Sequence, residues 1–119
     1  MDLIWEKARE VGRLLAQSGE YGALKRANTT LSDDRQTVAL LNRLNEIQEA
    51  FGRAIESGEE PTEEQQLEFE RVAMQAQASP AYQAFESARA NFDKLMMRIN
   101  EEIAKGIEAG EQSRIILPS

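Results

Sequence analysis

A chain of 119 residues with 21 acids, 14 bases and a net charge of −7 has the length of one domain, enough to bury about two-thirds of the surface its unfolded form exposes. It holds neither cysteine nor histidine, which excludes disulfides, thiolate nucleophiles, zinc or iron–sulfur ligation and imidazole catalysis. The acidic balance disfavours direct nucleic-acid binding, which depends on basic side chains releasing counterions from phosphates, and no segment has the length of a membrane span.

Ala, Leu, Glu, Gln and Arg dominate, and no stretch alternates apolar and polar residues long enough for a strand. The first predicted helix runs from Asp2 to Gln17, with Leu3, Ile4, Val11, Leu14 and Leu15 as its apolar stripe, and stops at Ser18-Gly19. A short second helix spans Glu20 to Leu31, with Tyr21, Leu24 and Ala27 at helical spacing; Gly22 weakens it by about 1 kcal/mol relative to alanine. The third opens at Asp33, which can cap free amides with Gln36 reaching back, and continues to Ser57 with Val38, Leu41, Leu44, Ile47, Phe51 and Ile55 at intervals of three or four. Gly58 ends it in a left-handed conformation, and the Glu59-Glu60-Pro61 turn is too short to do anything but fold the chain back antiparallel. Thr62 and Gln65 start the fourth helix, with Leu67, Phe69, Val72, Ala73 and Ala76. Ser79-Pro80 then caps and opens a fifth, carrying Tyr82, Phe85, Ala88, Phe92, Leu95, Met96, Ile99, Ile103 and Ile107 to Ala109, where Gly110 closes it.

The expected architecture is all-α: a bundle of about five helices built on antiparallel hairpins with a long C-terminal helix, residues 1–110 forming a single domain and 111–119 a tail. The charge is uneven. Six acids face Arg71 alone between Glu59 and Ser79, whereas the segment up to Ser32 has four acids against five bases.

The Glu20-Tyr21 pair opening a short helix with Leu24, Lys25 and Ala27, the Asp33-Asp34 start of a long helix, the Gly58 to Pro61 turn and Ser79-Pro80-Ala81-Tyr82 before a long terminal helix together resemble the YlbF/YmcA, or control-of-competence, family of small bacterial helical proteins. The likeness covers Asp2 to about Ile107. It implies an accessory regulator of competence, sporulation and biofilm formation that assembles with sister proteins and is not an enzyme. Some members ligate iron–sulfur clusters through cysteines; this chain has none to offer, which implies a simpler, homo-oligomeric branch.

Catalytic, cofactor and metal sites are expected to be absent. Paired acids such as Glu59 and Glu60, Glu63 and Glu64, or Glu101 and Glu102 point about 100° apart on a helix and do not converge on one ligand. Hard oxygen ligands favour weak magnesium or calcium contacts at the surface. A basic patch around Lys25, Arg26, Arg35 and Arg43 reads as solvated charge on helix faces.

The expected partners are the chain itself, as a homodimer or higher oligomer, and other proteins, in the cytoplasm, with no nucleic acid and no membrane. The reason is a length mismatch. A fifth helix of about 30 residues is roughly 45 Å long and a fourth of about 17 only about 25 Å, so Leu95, Met96, Ile99, Ile103 and Ile107 overhang their hairpin partner; helix one can shield part of that stripe but has its own face to bury against helix three. A soluble monomer rarely leaves such an apolar patch in water. Ile115, Ile116 and Leu117 in the tail are a second candidate, able to add as a strand to another protein's sheet edge or to fold back on the bundle. Two other classes stay open: a self-assembling module without regulatory activity, and a carboxylate-based enzyme, which would need a buried polar pocket.

Overall fold

A computed structural model describes the backbone of residues 2–116 and the side chains of 2–112. Five α-helices follow one another, with no strand among the described residues: α1 (Asp2–Ala16), α2 (Gly19–Asp33), α3 (Arg35–Glu56), α4 (Glu63–Gln77) and α5 (Pro80–Ile116).

Local chemistry sets most of the boundaries. The Ser18 hydroxyl accepts the Tyr21 amide at 3.1 Å and so begins α2, leaving Gly19 inside a helix. Asp34, one residue later than expected, caps α3 by accepting the Thr37 amide at 3.1 Å; Asp33 is the last residue of α2. Thr62 and Gln65 form the reciprocal capping box of α4, at 2.9 and 3.1 Å, and Gly58 takes φ +77°, which a β-carbon would resist. Gly110 does not stop α5. Its φ is not positive, and the helix runs on to Ile116, 37 residues in all and about 55 Å long.

Tertiary pairing differs from the expected hairpins in two respects. α3 packs along α4 as the short turn dictates, but the main partner of α5 is α2, and α1 does not pack on α3. Tyr21 meets Phe92 with ring centroids 5.8 Å apart, and Phe51 meets Phe69 at 5.7 Å. The two pairs join where α2 passes into α3 and α4 into α5, and there the Thr37 and Ser79 hydroxyls, both buried, bond at 2.7 Å. Ser79 also accepts the Tyr82 amide at 3.3 Å, so one hydroxyl caps α5 and ties it to α3.

Elsewhere the pairs lie open. The radius of gyration is 21.8 Å, against about 13.5 Å for a compact chain of this length. The accessible surface is 9507 Å², where a compact monomer of this mass exposes about 6,500 Å². The chain therefore buries about half of its unfolded surface, not two-thirds. Among the described residues the buried apolar side chains are Leu31, Ile47, Val72, Ala76 and Ala88, and α1 has none.

A candidate interaction surface

The stripe on α1 and the far half of the stripe on α5 come to face each other. Val11, Leu14, Leu15 and Ser18 line an apolar groove of about 210 Å³ with Leu95 and Ile99. Leu3, Ile4, Lys7, Ala8 and Val11 line a second, of about 430 Å³, with Ile103. Val11 belongs to both, so the grooves form one trough. Because the end of α1 lies beside Leu95 and its start beside Ile103, α1 runs antiparallel to α5 as an extension of α2. The two helices stand too far apart to seal the space between them.

The five α5 residues expected at an interface divide accordingly. Leu95 and Ile99 point toward α1 and are half-buried. Met96 is exposed and lines neither groove, and Ile103 and Ile107 are 56% and 64% exposed. On α1, Leu3 is 64% and Leu14 68% exposed. The sequence leads one to expect α1 to shield part of the α5 stripe while burying its own face on α3; in the structure that face lies opposite α5 and not on α3. Ile115 and Ile116 belong to α5, but their side chains, and Leu117 altogether, lie outside the described residues.

Charge divides by helix pair. Residues 34–79, which form α3 and α4, carry ten acids against four bases, and the rest of the chain eleven against ten. The apolar trough thus sits in the nearly neutral part, and the α3/α4 hairpin holds almost all of the net charge. On that hairpin Arg43 bonds Glu68 and Glu46, through Nε to Glu68 at 2.6 Å and Nη1 to Glu46 at 3.0 Å. These bonds raise its pKa, Glu68 contributing most. Arg43 therefore belongs to an ion network instead of a free basic patch. The acids Glu59, Glu60, Glu63, Glu64, Glu101 and Glu102 are exposed, and no three acids among the described residues are grouped to hold a metal ion. Among the described residues Tyr82 is the other perturbed group: burial, then the nearby Glu86 carboxylate, raises its phenol pKa.

What these features define is an all-α protein whose prominent surface is an apolar trough between two helices. The chain belongs to the family described as "Control of competence regulator ComK, YlbF/YmcA", which it matches over residues 4–108. It is similar to a UPF0342 protein of Leuconostoc mesenteroides, 26% identical over 104 residues, covering 87% of this chain and 89% of that one. A UPF0342 protein of Leuconostoc citreum is 22% identical, covering 87% and 88%. No helix among the described residues is long and apolar enough to cross a membrane.

Proposed function

We propose that this protein is a non-enzymatic bacterial regulator that works by protein contact in the cytoplasm as an oligomer, its α1/α5 trough being the self-association surface. Family membership supports the regulatory role, and by resemblance the processes concerned are competence, sporulation and biofilm formation. The observation that carries the mode of action is the trough itself: Leu3, Leu14 and Ile103, each more than half exposed, line its two joined grooves, and soluble monomers rarely leave a large contiguous apolar face in water. Twofold association is the commonest way to cover such a face. The acidic α3/α4 hairpin stays outside it, and with its net charge this protein binds RNA and DNA weakly and without sequence preference.

Sedimentation velocity at micromolar concentration tests this. The wild-type chain is expected to run as a dimer or a dimer of dimers. Ile103→Asp is expected to shift it toward the monomer by at least a hundredfold in dissociation constant while keeping most of its helicity. A wild-type chain that stays monomeric would remove the basis of the proposal.

A further inference from the structure

The occupant and its orientation can be read from the open side of α1. Leu3, Lys7, Glu10 and Leu14 recur at intervals of four, three and four, the spacing of a coiled-coil seam along one side of a helix. All four are exposed, and Lys7 and Glu10 stand 3.7 Å apart within the chain. The order apolar, cation, anion, apolar is complementary to itself when reversed. Laid against an antiparallel copy, Leu3 meets leucine and Lys7 meets glutamate, and each contact occurs twice.

Resting on the homo-oligomer proposed above, the geometry points to a second copy of this chain seated on the trough in antiparallel fashion, with the twofold axis crossing near Ala8 and Ile103. Leu3 then lies on the partner's Leu14, Lys7 beside the partner's Glu10, and Ile103 on the partner's Ile103, closing the trough into a four-helix bundle. The alternative twofold runs along the helices and stacks α1 on the partner's α5. Since the start of α1 lies beside Ile103 and its end beside Leu95, that arrangement sets Lys7 near the partner's Lys105 and Glu10 near the partner's Glu101 and Glu102, like charges in each case.

Two larger features agree with the antiparallel arrangement. It places the acidic α3/α4 hairpins at opposite ends: about 24 residues of α5 separate Ser79 from the axis on each side, about 70 Å in total. The alternative sets them side by side. It also gives the last turns of α5, which continue past the start of α1 to Ile116, the partner's α5 to lie on. The area is sufficient. The chain exposes about 3,000 Å² more than a compact monomer of its mass, while a standard interface needs about 800 Å² from each partner.

Because the chain has no cysteine, single-cysteine variants report the geometry without background. Leu3→Cys, Leu14→Cys, Ile103→Cys and Ile107→Cys are purified, combined singly or in pairs, oxidised under mild conditions and read on non-reducing gels. A disulfide forms only when the Cα atoms approach within about 7 Å. The antiparallel bundle predicts a disulfide of Leu3→Cys with Leu14→Cys, a disulfide of Ile103→Cys with itself, and none of Leu3→Cys or Leu14→Cys alone. Linkage of Leu3→Cys with Ile107→Cys in place of Leu14→Cys would establish the other twofold and overturn the inference. Failure of every pair in a chain that sediments as a dimer would overturn it in favour of a different face, whereas a monomer by sedimentation would instead sink the reading on which it rests. A charge test runs in parallel: Lys7→Glu and Glu10→Lys should each self-associate at least tenfold more weakly than wild type and recover when mixed. No recovery on mixing would contradict the pairing across the axis.

Discussion

The two halves of α5 have the same kind of apolar stripe and opposite fates. From Pro80 to Phe92 the helix lies against α2 and meets the α3/α4 hairpin at a junction where Ala76, Ser79 and Ala88 are buried and the Thr37 and Ser79 hydroxyls satisfy each other. From Leu95 onward its neighbour is α1, a helix with no buried residue of its own, and Ile103 and Ile107 are left in water. Periodicity alone gives both halves a core-facing stripe. The difference lies in what stands opposite. A junction of four chain segments closes on itself, whereas two helices side by side leave a face that only further helices can cover.

Substitutions of the same type should therefore behave differently in the two halves. Ala76→Asp is expected to cost more than about 4 kcal/mol, since Ala76 is 1% exposed and an unpaired carboxylate would be buried. Leu14→Asp, on the open face, should leave the stability of the monomeric chain within about 0.5 kcal/mol and weaken association instead. Urea unfolding of both variants at low concentration makes the comparison; a Leu14→Asp chain as unstable as Ala76→Asp would place the trough in the monomer core.

Ser79→Ala should be milder, at about 2 kcal/mol, because it removes an α5 cap and leaves the buried Thr37 hydroxyl without a partner. Ser79→Thr, which keeps the hydroxyl, should recover part of that loss, and equal destabilisation by the two would show that the bond contributes nothing. The smallest effect concerns pH. The Tyr82 phenol is raised by burial and by Glu86, so its native state holds the proton more tightly than the unfolded chain does. The resulting stability is complete below the ordinary phenol value of about 10 and is lost as pH rises through the higher native value. Tyr82→Phe should flatten the alkaline limb of the stability curve, and an unchanged limb would assign it to other groups.

Where structure follows from a few neighbouring residues, the sequence was legible. Thr62 with Gln65, Gly58 before Pro61, and Ser79-Pro80 mark helix ends that capping chemistry imposes locally. Asp33 and Asp34 could each have capped α3, and choosing between adjacent candidates depends on how α2 ends. Gly110 looked like a stop but stayed helical, since glycine permits a C-terminal turn without requiring one. The long-range choice of α2 over α4 as the partner of α5 was not legible, since the stripes on α2 and α4 are interchangeable by periodicity; that α1 shields part of the stripe from Leu95 to Ile103 was expected, but not that it leaves α3 altogether. The Leu3, Lys7, Glu10, Leu14 spacing was present in the sequence, but only the observation that α1 leaves that side uncovered gives it meaning.

The central claim is that a second copy completes the α1/α5 end of the molecule. A 15-residue helix is marginal in water unless packing covers its apolar face, so amide hydrogen exchange measures that cover directly. At tens of micromolar wild-type chain, α1 and residues 95–107 of α5 are expected to exchange slowly. On dilution below the dissociation constant, or in Ile103→Asp, they should lose at least a hundredfold of protection while the Ile47 and Val72 regions of α3 and α4 keep theirs. Protection of α1 that is the same at every concentration and in the variant would contradict the account.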